Sequence, residues 1–293
     1  MLSFPLPVRL AEGAGADPER GPWLAELPDT VRTLAARWSL TLGPPFQPGG
    51  EVSWVAPARD PAGRDLVLKV GWWHPDTAHE AAGLHAWRDR GAVWLHEAER
   101  IGRSQGLLLE RARPGTALGA ARAEPEQDEV IAALLAELWH EPPAGHPFRT
   151  LTELCDAWAD EFEEGYGARP EMLDPGLARA GMRLFRDLAR DPTPSRLLVI
   201  DLHAGNVLAA RRRPWLVIDP NPHVGDPTYD VLQHLLNCDR RLTADPVGLA
   251  DRMAALLDLD RPRLRYWLFA RCVQESVLQP WLRPVAAALG REC

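Results

Sequence analysis

Lysine is almost missing from this 293-residue chain. Of its 33 basic residues only Lys69 is a lysine; the rest are arginine. Richness in Arg, Ala and Pro accounts for that scarcity as a coding bias. It does not explain why the one survivor sits inside the apolar run "DLVLKVGWW". Cysteine is sparse too. Cys155, Cys238, Cys272 and Cys293 form no CxxC pair, which excludes a recognisable zinc site or disulfide framework and leaves reduced thiols as the expectation. No run approaches the roughly 18–20 apolar residues of a membrane helix. "MLSFPLPVRL" carries prolines where a signal peptide needs an apolar core. A soluble, cytoplasmic protein with no membrane association is expected. There is no excess of positive charge: the formal net charge of −8 argues against a nucleic-acid partner. There is no internal repeat, no low-complexity tail and no feature that demands an obligate protein partner.

What is present divides at residue 112. Apolar residues at helical spacing in "WLAELPDTVRTLAARWS" predict a helix over 23–39. "EVSWVAPA" and "RDLVLKV" read as two strands joined by the turn "DPAG". "PDTAHEAAGLHAWRDRG" reads as a helix with Thr77 as its N-cap and Gly91 beyond its end. "AVWLHEAE" and "GLLLERA" read as two more strands. Residues 1–112 therefore predict a mostly antiparallel sheet with one inserted helix. Helical patterns dominate 113–293. The acidic run Asp160, Glu161, Glu163 and Glu164 is a candidate for holding a cationic ligand, with a solvated helix face as the equal alternative.

One stretch interrupts its apolar pattern with chemistry. "LLVIDLHAGNVLAA" (197–210) places Asp201 after an apolar run and Asn206 five residues later, and "WLVIDP" delivers Asp219. Two short strands turning at "RRRP" can bring the three to one rim. Phosphoryl transfer needs such a set: one carboxylate for the hydroxyl of the nucleophile, and an amide oxygen and a second carboxylate for Mg²⁺. Lys69, on a strand after a Gly-containing loop, suits the nucleotide phosphates. A lone Asp at a strand end is ordinarily a turn residue; the ordered set Lys69, Asp201, Asn206, Asp219 overrides that reading.

"DLHAGN" followed by "VIDP" resembles the catalytic segment of the aminoglycoside phosphotransferase family. "GGEVSWVAPARDPAGRDLVLKVGW", "GLLLERARPGTAL" and "VGDPTYDVLQHLLN" resemble its aminoglycoside/hydroxyurea-resistance branch, which includes streptomycin 6-kinases. The resemblance spans roughly 20–290 with the motifs in the family's order. It implies an α+β, protein-kinase-like bilobal fold, with a nucleotide-binding lobe over 1–112 and a helical lobe over 113–293 that carries the catalytic loop and acceptor site. It implies ATP and Mg²⁺, and a polar or cationic small antibiotic as acceptor, with resistance as the outcome. Carried over residue by residue, Asp201 is the catalytic base or hydroxyl-orienting group, and Asn206 and Asp219 are metal ligands. Lys69 contacts the α- and β-phosphates and Glu80 holds that lysine. Gly49, Gly50 and Ser53 lie over the phosphates, and the backbone of Glu110, Arg111 and Ala112 meets the adenine.

Several residues have competing readings. "TAHE" is also a capping box, which would turn Glu80 back to Thr77. His203 reads as a local shaper of the loop rather than a base, and Asp230 as a brace for it. Trp72 and Trp73 read as packing. Most relatives carry His-Gly where this chain has Val199-Ile200, so the loop is expected to be held by packing. The alternatives to an antibiotic kinase are a metabolic small-molecule kinase of the same fold and a non-catalytic nucleotide-binding pseudokinase.

Overall fold

In "SWVAPAR" and "DLVLKVGW", apolar side chains alternate as a pleated strand requires. These segments are β2 and β3 of the first of two compact units in the computed structural model, which describes residues 4–13, 20–74, 77–191 and 193–291. Unit one comprises Met1–Gly115 and Ala210–Leu216; unit two comprises Thr116–Ala209 and Val217–Cys293.

Unit one contains α1 (Val8–Gly13), α2 (Arg20–Arg37), β1 (Thr41–Leu42), β2 (Ser53–Arg59), β3 (Asp65–Trp72), α3 (Glu80–Ala86), β4 (Leu95–Ile101) and β5 (Ser104–Glu110). Its sheet is antiparallel throughout, in the order β1-β2-β3-β5-β4. Leu66, Leu68 and Val70 point to one face, where they pack with Trp23, Leu27, Val31 and Leu34 of α2. Alternation then sends Lys69 to the opposite face, between its neighbours Val55 and Leu107.

The helix expected to start at Thr77 starts at Glu80 instead. The Thr77 hydroxyl does not cap it. It donates to the carbonyl of Trp72 at 3.1 Å and accepts from the His74 amide at 3.2 Å, so it is spent on the preceding loop. β4 likewise begins three residues later than the apolar pattern "AVWLHEAE" predicts.

Unit two is mainly helical. It holds α4 (Leu118–Ala121), α5 (Glu124–Leu138), β6 (Arg149–Thr150), α6 (Leu151–Ala168), α7 (Pro175–Arg190), β7 (Arg196–Leu198) and β8 (Val207–Ala209). β9 (Trp215–Val217) begins among the residues of unit one and ends in unit two, where β10 (His223–Gly225), α8 (Leu232–Leu236), α9 (Asp239–Ala244), α10 (Pro246–Leu257), α11 (Arg261–Glu275) and α12 (Leu282–Leu289) follow. A full capping box starts α6, with Thr150 and Glu153 bonding each other's backbone amides. Helices α7 and α11 meet closely at Gly181, where a Cβ would come within 2.6 Å of Val273. A three-stranded sheet, β6-β10-β7, pairs His223 with Leu198 and so sets the level at which the chain leaves β7.

Candidate active site

The apolar run 197–200 does not continue as a strand. β7 stops at Leu198 because the next two amides turn away from the sheet. The Asp230 carboxylate accepts the Val199 amide at 2.9 Å and the Ile200 amide at 2.5 Å. Trp139 donates its indole N–H to the same carboxylate at 3.0 Å. Ile200 sits at φ 61°, and the Asp201 amide donates back to the Val199 carbonyl at 2.7 Å. An i+2→i bond around a residue of positive φ is the rarer, strained form of the γ-turn. A β-branched residue there is a genuine outlier, costing about 1–3 kcal/mol that the surroundings must offset. The offset is visible in Asp230, which is itself buried. Burial pushes its carboxyl up to about 6, while the bonds from Val199, Trp139 and Ile200 pull the other way. The expected bracing by Asp230 is thus in place, and hydrogen bonds, not packing alone, hold the Val199-Ile200 segment.

The turn presents Asp201. Asn206 donates its amide N–H to the Asp201 carbonyl at 2.9 Å and to its carboxylate at 3.2 Å. With Nδ2 so engaged, Asn206 Oδ1 is the atom left for a cation. Asp219 lies just beyond β9 at φ 56° and could offer a second oxygen to a cation. Burial first, then the charge of Asp219, push the Asp201 carboxyl up to about 6, against the bonds from Asn206 and Gln233 and the charge of Arg271. Even so, 41% of its side-chain surface stays open. His203 shapes the loop: its Nδ1 accepts the Gly205 amide at 3.1 Å and its carbonyl accepts the Asn206 amide at 2.9 Å. Burial, then the nearby His234, hold its imidazole below the usual value.

In unit one, Lys69 Nζ donates to Glu80 Oε2 at 2.6 Å with both side chains buried, so Glu80 serves the lysine rather than a capping box. Gly49, at φ 75°, lies against the N-terminal segment, where a Cβ would come within 2.4 Å of Pro7. Gly50 borders the hydroxyl of Ser53, which is buried at the start of β2. At the end of β5, Glu110 is clasped by Arg212 from residues 210–216, at 2.9 Å and 2.8 Å. Arg111 and Arg113 both bond Asp65, at 2.8 Å and 2.7 Å. The Ala112 carbonyl lies near Gly115, where a Cβ would approach it to 3.1 Å. Arg100 stacks over Trp73 and Arg20 over Trp72, so both indoles serve packing.

Two features depart from sequence expectation. The acidic helix face is largely answered by arginine: Arg186 pairs with Asp160 at 2.7 Å and with Glu163 at 2.5 Å. It is a poor cation trap. The sequence gives no sign of a buried cluster of Asp128, His234 and Cys238, because Asp128 lies more than a hundred residues from the other two. Its geometry admits a metal but its charges do not. Asp128 already accepts from His234, Arg241 and Arg252, and two guanidinium groups beside it repel a cation. Burial raises the Asp128 carboxyl, but those three hydrogen bonds outweigh it and hold it far below the usual range.

Comparison with known proteins gives a consistent result. A family profile described as aminoglycoside/hydroxyurea antibiotic resistance kinase matches residues 37–281. The streptomycin 6-kinase of Streptomyces glaucescens is 31% identical over 283 residues, covering 94% of this chain and 91% of that protein. The hydroxyurea phosphotransferase of Kitasatospora aureofaciens is 34% identical, covering 92% and 77%. Among solved structures, an aminoglycoside phosphotransferase of Streptomyces rimosus in complex with ADP and streptomycin superposes with a TM-score of 0.52 at 18% identity, covering 89% and 98%. That last likeness is one of fold.

Proposed function

The chain belongs to the aminoglycoside/hydroxyurea antibiotic resistance kinase family, and on that premise we propose that it moves the γ-phosphoryl group of ATP to a hydroxyl of a small antibiotic, with streptomycin and hydroxyurea as the first acceptors to test. The observation that carries the reading is the Asp201–Asn206 contact beside Asp219. The Asp201 carboxylate keeps 41% of its side-chain surface open, Asn206 spends its amide N–H on that residue and so keeps its oxygen for a cation, and the charge of Asp219 lies close enough to raise Asp201.

In this reading Asp201 orients the acceptor hydroxyl and takes its proton as the phosphorus–oxygen bond forms. The leaving bond is that between the γ-phosphorus and the bridging oxygen of ADP. Lys69, held by Glu80, pairs with the α- and β-phosphates. Gly49, Gly50 and Ser53 belong to the loop over the phosphates, and the backbone of Glu110–Ala112 to the adenine contact. The donor set at Asn206 and Asp219 fits Mg²⁺, which prefers hard oxygen ligands. When bound, the ion supplies positive charge against the phosphate oxygens. The chain's own contribution is chiefly positioning and electrostatic stabilisation.

Asp201→Ala tests this directly. Turnover is expected to fall about 10²–10⁴-fold, the range for a lost general base, with ATP binding retained; wild-type-like turnover would sink the assignment. Asp219→Ala is expected to abolish magnesium-dependent nucleotide binding, and unchanged binding would remove it from the metal site. A non-catalytic pseudokinase is disfavoured by the intact set of Lys69, Asp201, Asn206 and Asp219.

A further inference from the structure

The turn that carries Asp201 is gripped from a place that the chemistry above does not use. Trp139 and His140 follow the end of α5 and flank β7 on both sides of the turn. The His140 carbonyl accepts the Leu197 amide at 2.9 Å. The Trp139 indole reaches Asp230, whose carboxylate takes the next two amides, Val199 and Ile200. The amides of Leu197, Val199 and Ile200 are thereby all taken, and Leu198 between them is paired within the sheet.

The division of labour on the Asp230 carboxylate matters. Oδ1 receives the Ile200 amide. Oδ2 receives both the Val199 amide and the Trp139 indole. The two backbone donors, one on each oxygen, both come from the turn itself, so carboxylate and turn could shift together. The third donor, from a separate element, anchors the pair to the rest of the unit. That anchor sets the direction of the Ile200 amide, and Ile200 at φ 61° sets where the Asp201 side chain leaves the chain.

We propose that Trp139 is a positioning residue for phosphoryl transfer, acting through Asp230 on the strained turn at Ile200 that aims the Asp201 carboxylate. The inference rests on the reading of Asp201 as the group that meets the acceptor hydroxyl. Trp139 touches no reacting atom. Its contribution is to stop a turn that would otherwise relax toward ordinary backbone geometry and carry Asp201 out of line. Displacements of an ångström at a reacting group cost on the order of a hundredfold in rate, so a partial loosening is expected to cost about tenfold.

The test uses the full-length protein and four variants, assayed at a temperature where each is folded by circular dichroism. Trp139→Phe keeps the aromatic packing and removes the donor. Ile200→Gly frees the turn, whereas Ile200→Val keeps a stiff, β-branched residue in it. Trp139→Phe and Ile200→Gly are each expected to lower kcat about tenfold with KM for ATP within twofold of wild type. Ile200→Val is expected to stay within about twofold in kcat. A merely structural role would lower Tm in these variants and leave kcat of the folded enzyme unchanged. That outcome, or an equal loss of kcat in Ile200→Val and Ile200→Gly, would overturn the proposal. If Trp139→Phe does not fold, Trp139→Leu, which likewise lacks the donor, takes its place with the same expected and overturning outcomes. Asp201→Ala is the control: if it retains turnover, the reading of Asp201 itself has failed, not the strut.

Discussion

Asp201 is placed where its charge is costly and its reach is useful. Burial and the charge of Asp219 push its carboxyl up to about 6. The carboxylate must be ionised to take a proton, so activity is expected to fall as pH drops through that value. A pH–rate profile of kcat/KM should show an acid limb with its midpoint near 6; a limb confined below pH 4.5 would contradict the assignment. The stability effect has the opposite sign. A carboxyl whose folded value is raised above its unfolded value, about 3.9, binds its proton more tightly in the folded state. Its contribution is full below pH 4 and is lost as pH rises through about 6. Asp201→Asn, which carries no charge, is therefore expected to melt above wild type at pH 7.5, with the gap closing toward pH 4. Thermal melts across that range check this. Lys69 and Glu80 show the reverse arrangement, a buried pair in which each charge needs the other. Glu80→Ala removes the carboxylate that Lys69 bonds at 2.6 Å, and is expected to lower stability in denaturant unfolding, along with a raised KM for ATP.

At the scale of elements, the pattern of apolar residues carries far. The alternation in β2, β3 and β5 and the helical spacing of α2 are plain in the sequence, because each buries one face against the same core. Sequence spacing also isolates Lys69, Asp201, Asn206 and Asp219. What it does not convey is where long-range donors go. "LLVI" reads as four residues of strand, yet the chain leaves the sheet after Leu198 because Asp230, some thirty residues on, takes the next two amides. "TAHE" reads equally as a cap or a lysine partner, and only the position of β3 decides for the partner. The Asp128 network is invisible for the same reason. It ties α5 to α8, α9 and α10 through partners 106 to 124 residues away. Asp128→Asn strands two guanidinium groups against a neutral amide, and a loss of about 3 kcal/mol is expected. Because the Asp128 carboxyl is held low in the folded state, its contribution is present above about pH 4 and lost as pH falls toward the folded value. Urea unfolding should show the wild-type advantage in full at pH 7 and a reduced but still measurable advantage at pH 3, because the folded carboxyl titrates well below that pH.

For the whole molecule, the formal net charge is −8, and among the described residues no helix is long and apolar enough to cross a membrane. Among the described residues the thiols of Cys155, Cys238 and Cys272 are buried, and burial pushes Cys238 and Cys272 up to about 12, which leaves them poor nucleophiles at neutral pH. The most direct test of the central claim is a coupled ADP-release assay with ATP and Mg²⁺. It should be run on wild type and Asp201→Ala against streptomycin, other aminoglycosides, hydroxyurea and a blank without acceptor. The account predicts ADP release above the blank with at least one of these antibiotics, abolished by Asp201→Ala. Release that no acceptor raises above the blank, or that survives in Asp201→Ala, would contradict it.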